Sequence, residues 1–156
     1  MTLLYRMHAL SLIRLAYVML GDKPAAEDVV QDAFCGLYRR WGQLADQTKA
    51  PQYLRASVLN GCRTTIRRDR SRRQLADREP AAISAETAVL AGEQQRMVMR
   101  AIRSLPDRQR EVLILRFYLD EPEAEIARLM GVRQSTVRST THRALNALGR
   151  LLGERS

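Results

Sequence analysis

Apolar residues recur at steps of three and four along almost the whole chain, and strand-like alternation takes over nowhere. Eight glycines and five prolines in 156 residues leave few forced breaks. Such a chain folds as helix packed on helix, an all-α protein. Leu12, Leu15, Ala16 and Met19 give a first helix its stripe, and Gly21 stops it. Asp22 and Pro24 then stand in the order of an N-cap and a first-turn proline. They open "AAEDVVQDAFCGLYRRW", with Val30, Ala33, Phe34, Leu37 and Trp41 on one side and Asp28, Gln31, Asp32 and Arg39 on the other.

"WGQLADQTKA" reads as a polar loop, and Pro51 opens a third helix, "PQYLRASVLNGCRTTIRRDRSRR". Leu54, Val58, Cys62 and Ile66 step by four along its inner side, leaving Arg55, Asn60, Arg63, Thr64, Arg67 and Arg68 outside. A long helix then runs through Met97 and Ile102, and Pro106 marks the next helix start in "SLPDRQREVLILRFY". "EPEAEIARLMG", a turn at Gly131 and Val132, and a last helix to about Leu152 complete the chain. Ile126, Leu129, Val132 and Val137 have the spacing of a helix-turn-helix core.

Charge divides the chain. The whole carries +9, and all but Lys23 and Lys49 of its 26 basic residues are arginine. Arginine binds phosphate and carboxylate bidentately, so the excess points to a polyanion partner, though a soluble domain of high pI is the plainer reading. Residues 1–75 net +7, residues 76–92 net −2, and residues 93–156 net +4. The middle piece holds Pro80; its start reads as a linker and its end as a helix beginning near Ser84. The expectation is two small helical domains, 1–75 and 93–156, joined by a linker at 76–92, with the helix-turn-helix in the second. Cys35 and Cys62 have no His or Cys neighbour at metal-site spacing, so two free, mostly buried thiols are expected and no metal site. Arg6, His8 and Arg14 interrupt the apolar run from Leu3 to Leu20, which argues against a membrane span or signal peptide and for a cytoplasmic protein.

Three surfaces carry chemistry. After the Gly131 turn, Arg133, Gln134, Ser135, Thr136, Arg138, Ser139, His142 and Arg143 mix guanidinium groups with short hydrogen-bonding side chains. Such groups read base edges and phosphates in a major groove; the plain alternative is a solvated bundle helix. On the third helix, Tyr53, Arg55, Asn60, Arg63, Thr64, Arg67 and Arg68 combine stacking, amide and cationic groups, as single-stranded DNA requires. Glu27, Asp28, Gln31 and Asp32 form an acidic strip in a basic protein. Helix-dipole stabilisation accounts for Glu27 and Asp28 but poorly for Asp32, so a protein-docking face is the functional reading. No HExxH, P-loop or GxSxG occurs, and Glu123 and Glu125 are two apart, so they do not face each other on a helix. Neither an enzyme nor a cofactor is expected.

These stretches resemble one family. "GDKPAAEDVVQDAFCGLYRRW" resembles region 2 of bacterial RNA polymerase sigma factors, "PQYLRASVLNGCRTTIRR" the promoter-melting and −10-reading segment that follows, and "LPDRQREVLILRFYLDEPEAEIARLMGVRQSTVRSTTHRAL" region 4. With no room for regions 1 or 3, the chain is similar to extracytoplasmic-function (group IV) sigma factors of the arginine-rich actinobacterial branch often labelled SigE-like. The resemblance implies that Asp28, Gln31, Asp32 and Arg39, within residues 24–41, dock on the β′ clamp helices of core polymerase. It implies that region 4 meets the β flap, that residues 133–143 read −35 duplex, and that Asn60 and its neighbours meet the −10 strand. The loop from Gly42 to Ala50 corresponds to one that captures a flipped base. An anti-sigma factor is a further implied partner. The pattern departs at Arg133 and Thr140; little chain precedes Leu3 and none follows Ser156, so no appended regulatory domain is expected. The rivals are a dimeric helix-turn-helix regulator acting without polymerase, which leaves the N-terminal motif unexplained, and a recombinase-like enzyme fragment, which lacks a nucleophile and acid cluster.

Overall fold

The structure, a computed structural model, describes residues 2–76 and 92–153, with the side chains of 73–76 excepted. Residues 77–91 of the expected linker, and with them the helix beginning near Ser84, fall outside the described residues. Every regular element among the described residues is helical, and the chain divides into two compact units, Met1–Ser84 and Ala85–Ser156.

The first unit is three helices packed pairwise: α1 (Thr2–Leu20), α2 (Lys23–Arg40) and α3 (Ala50–Ala76). Gly21 ends α1 with φ 73°, a conformation glycine adopts without strain. Asp22 caps α2, its side chain accepting from the Ala25 amide at 3.5 Å. Such a cap contributes about 1 kcal/mol. Each fully buried leucine contributes roughly 1.5–3 kcal/mol. Leu15, Leu37, Leu54 and Leu59 are all essentially inaccessible, so the helix–helix contact holds the unit. α1 is, by length and composition alone, apolar enough to cross a membrane. Here its Ala9, Leu12, Leu15, Ala16, Val18 and Met19 are buried as core. α2 and α3 approach closely at Gly61, where a Cβ would lie 2.8 Å from Val29 Cγ1.

Several expectations need correction. Trp41 is half-buried just beyond the end of α2, in a 3₁₀ turn, Trp41–Gln43. The polar loop is partly ordered by that turn and by a second, Gln47–Lys49, which Asp46 caps through the Thr48 amide at 3.0 Å. Only Cys62 is buried; Cys35 is exposed, because it falls on the same side of α2 as Gln31 and Arg39. Arg55, Arg63 and Thr64 are half-buried rather than outside, Arg55 because it shares a face with Leu59 and Cys62 at four- and seven-residue spacing.

The second unit contains α4 (Glu93–Ser104), α5 (Asp107–Leu113), a π-helical turn (Ile114–Tyr118), α6 (Glu123–Met130) and α7 (Gln134–Gly153). α7 packs on α4, α5 and α6. The buried Arg110 donates to the carbonyls of Arg103 (2.6 Å) and Leu105 (3.4 Å), tying the end of α4 to α5. Ile126, Leu129 and Val137 are buried and Val132 is half-buried, as a helix-turn-helix core requires.

Candidate nucleic-acid interface

The recognition surface begins at the turn between α6 and α7. Gly131 adopts φ 67° and ψ 36°, the left-handed conformation. Its amide reaches the Arg128 carbonyl at 3.3 Å, and the Val132 amide reaches the Ala127 carbonyl at 3.0 Å. That pair of bonds is a Schellman closure. Arg108 from α5 adds a bond to the Met130 carbonyl at 2.7 Å, satisfying another terminal acceptor. The direction in which α7 leaves the turn is therefore fixed by backbone groups and an arginine outside the turn.

On α7, Val137, Thr140, Thr141 and Ala144 face inward. Thr140 is thus part of the packed side, so the departure there does not touch a presented surface. Thr141 satisfies its hydroxyl on the Val137 carbonyl at 2.7 Å. Arg133, Gln134, Ser135, Thr136, Arg138, Ser139, His142 and Arg143 are all exposed. At 3.6 residues per turn, Ser135, Ser139 and His142 lie at the centre of the outer face, with Arg138 and Arg143 on opposite flanks. Short groups in the centre let the helix approach base edges closely, while guanidinium groups at the flanks reach outward. Asn146 belongs to the same central row: it is exposed and lies 3.3 Å from His142 Nε2. Its spacing of four from His142 was the available signal. Arg138 bonds Glu123 of α6 at 2.8 Å, and Arg143 contacts the Thr140 hydroxyl at 3.4 Å. Glu125 bonds Arg128 at 2.6 and 2.9 Å, which raises the Arg128 pKa.

In the first unit a cleft of about 390 Å³ separates α2 from α3. Tyr53, Asn60, Thr64 and Arg68 line it, together with Ser57 and with Asp32 from α2. Asn60 is exposed, and its Oδ1 accepts from Arg63 at 2.9 Å, which leaves the amide nitrogen to donate. Thr64 spends its hydroxyl on the Asn60 carbonyl at 3.0 Å. Arg67 is exposed beside this row, whereas Arg55 is turned away from it. Residues 42–50 do not line the cleft. On α2, Asp28, Gln31, Asp32 and Arg39 form one exposed stripe, with Cys35 in its middle. Beside that stripe, Tyr5 and Phe34 pack with ring centroids 5.0 Å apart. Asp46 has its carboxyl held below the usual range by hydrogen bonds from the Thr48 hydroxyl and amide. Among the described residues, no group of three or more His, Cys, Asp and Glu side chains is placed to hold a metal.

Comparison with known proteins agrees with this arrangement in order and extent. Residues 4–72 match Sigma-70 region 2, and residues 95–148 match Sigma-70, region 4. The RNA polymerase sigma-E factor of Streptomyces avermitilis is 30% identical over 138 residues, 88% of this chain and 76% of that protein. The ECF RNA polymerase sigma factor SigM of Mycobacterium tuberculosis is 32% identical over 155 residues, 96% of this chain and 76% of that protein. The sigma factor RpoE of Bartonella quintana, solved with the anti-sigma factor NepR, has the same fold, with a TM-score of 0.78 at 22% identity over 97% of this chain and 96% of that one. Two matching family regions in their proper order, and relatives matched over most of their length, show that the chain belongs to the sigma-70 family of RNA polymerase sigma factors, in its extracytoplasmic-function class.

Proposed function

We propose that this sigma factor divides its work between its two units: residues 1–75 dock on core RNA polymerase and open the −10 element, and residues 93–156 read the −35 element, with 76–92 as linker. The observation that carries the division is the segregation of charge. An exposed stripe of Asp28, Gln31, Asp32, Cys35 and Arg39 lies on α2, with Asp32 at the edge of the α2–α3 cleft, while the cationic and amide groups suited to nucleic acid lie on α3 and α7. Acidic side chains repel DNA, so that stripe suits the β′ clamp helices, and region 4 meets the β flap. A non-enzymatic initiation factor acts where polymerase is, in the cytoplasm. An anti-sigma factor, as in the RpoE complex, belongs among its partners.

Opening duplex loses about 1.4 kcal/mol of stacking per base-pair step. A protein that uses no nucleotide fuel offsets this by binding the opened strand better than the closed one. The cleft between α2 and α3 supplies a recess with the Asn60 amide and Tyr53 ring at its wall, and Arg67 and Arg68 supply charge for the backbone. The loop from Gly42 to Ala50 is the second element assigned to the flipped base. Asp28→Lys with Asp32→Lys should weaken capture of core polymerase and leave the helical circular dichroism intact. Asn60→Ala should leave capture intact and reduce permanganate reactivity of −10 thymines on closed duplex. A template opened beforehand by mismatches should restore part of the transcription. Unchanged capture rejects the docking face, and unchanged permanganate reactivity rejects the melting surface.

A further inference from the structure

Glu123 stands fifteen residues before Arg138, at the start of the first helix of the helix-turn-helix, and accepts from Arg138 Nη1 at 2.8 Å. A carboxylate beside a DNA-facing helix repels phosphate, so DNA affinity gains nothing from it. The pair is open to solvent, the Arg138 side chain 63% exposed and Glu123 25%, so it adds little to the stability of the fold. Favourable charge at the α6 N-terminus does not depend on it alone, since Glu125 also lies in that first turn. Glu125 bonds within its own helix, to Arg128, whereas the bond of Glu123 crosses the turn to the recognition helix.

What the pair does is restrict a guanidinium. Arginine carries five N–H donors in a rigid plane. One bond to Glu123 uses one of them and leaves four for another partner. On a free flexible stem the same group would reach whichever phosphate lay nearest. Arg143, on the opposite flank of α7, provides the contrast: its contact is a hydroxyl at 3.4 Å, and it has no carboxylate partner among the described residues.

We propose that Glu123 is a positioning residue for promoter selectivity. It withdraws Arg138 from the phosphates and holds its open edge toward one base pair, while Arg143 remains a backbone contact. This rests on the reading of α7 as the −35 helix.

The test uses the full chain assembled with core polymerase and two DNA probes. One is a set of duplexes carrying a randomised upstream block, sequenced after capture. The other is random-sequence duplex, titrated at several salt concentrations. Arg138→Ala should abolish preference at one base position. Glu123→Ala should reduce that preference by roughly tenfold, the scale of one bidentate base contact. It should also steepen the salt dependence of random-sequence binding by about one unit, as the freed arginine takes up a phosphate. Glu123→Gln, which keeps an acceptor but loses the charge, should fall between. Adding Glu123→Ala to Arg138→Ala should change base preference no further. A purely structural role would lower specific and random binding together, without steepening the slope. If Arg138→Ala loses the preference while Glu123→Ala keeps both the preference and the slope, the inference is overturned. If Arg138→Ala itself leaves every base preference and the slope unchanged, the reading of α7 fails first and the inference falls with it.

Discussion

Gly61→Ala tests the crossing of α2 and α3, on which the docking stripe and the melting cleft both depend. The added Cβ would lie 2.8 Å from Val29 Cγ1, with further contacts at 3.7 Å. Carbon atoms settle about 3.5–4.0 Å apart, so the overlap is roughly 0.7 Å or more. Val29 is β-branched with essentially one rotamer in a helix, and it is only 8% exposed, so its methyl has nowhere to swing. The helices must part, at about 1–3 kcal/mol. Alanine returns about 0.5–1 kcal/mol through its better helix propensity. The net expectation is a loss of up to about 2.5 kcal/mol by this comparison. In a Val29→Ala background the obstructing methyl groups are gone. There Gly61→Ala should stabilise, by about 0.5–1 kcal/mol. The sign reversal is the signature of a contact rather than of propensity. Urea unfolding followed by fluorescence reads this unit alone, because Trp41 is the only tryptophan. Stabilisation in both backgrounds would mean that the helices do not approach this closely, and the cleft would lose its basis.

Three further outcomes are expected. A maleimide should modify one thiol in the native chain, Cys35, and two after unfolding; excess core polymerase should suppress the native reaction, and an unchanged rate would move docking away from the α2 stripe. Asp46 has its carboxyl lowered below 3.8, so its cap on the turn is present above that pH and is lost as pH falls through the lowered value; an NMR titration of the Thr48 amide should have its midpoint below 3.8, and a midpoint at or above it contradicts the cap. Arg143→Ala should weaken binding to all sequences alike and reduce the salt slope by about one unit, whereas a loss confined to one base position would make Arg143 a reader.

The elements were legible where the signal is local. Gly21, Asp22 with Pro24, and Gly131 each act within a few residues of chain, and each does what its chemistry suggests. Residue type misleads where helical position overrides it. Arg55 looks like an outside residue by charge, yet helical spacing sets it beside Leu59 and Cys62. Cys35 looks like core by type, yet its position on α2 is outward. The π-helical turn at Ile114–Tyr118 lies in the run "VLILRFY", which has no glycine or proline to announce it. Of the site, the row on α7 could be counted off one helix. The Glu123–Arg138 bond and the α2–α3 cleft could not, because each joins residues from different helices through tertiary packing.

The most direct measurement is transcription by core polymerase from a library of duplexes with randomised upstream sequence, with and without the full chain, followed by sequencing of the RNA 5′ ends. With the chain, starts should concentrate on templates that share two separated upstream blocks, and Asp28→Lys with Asp32→Lys should erase them. The contrary result is a chain that selects a palindromic duplex without polymerase and adds no new starts when polymerase is present; it would make this protein a dimeric regulator and not an initiation factor.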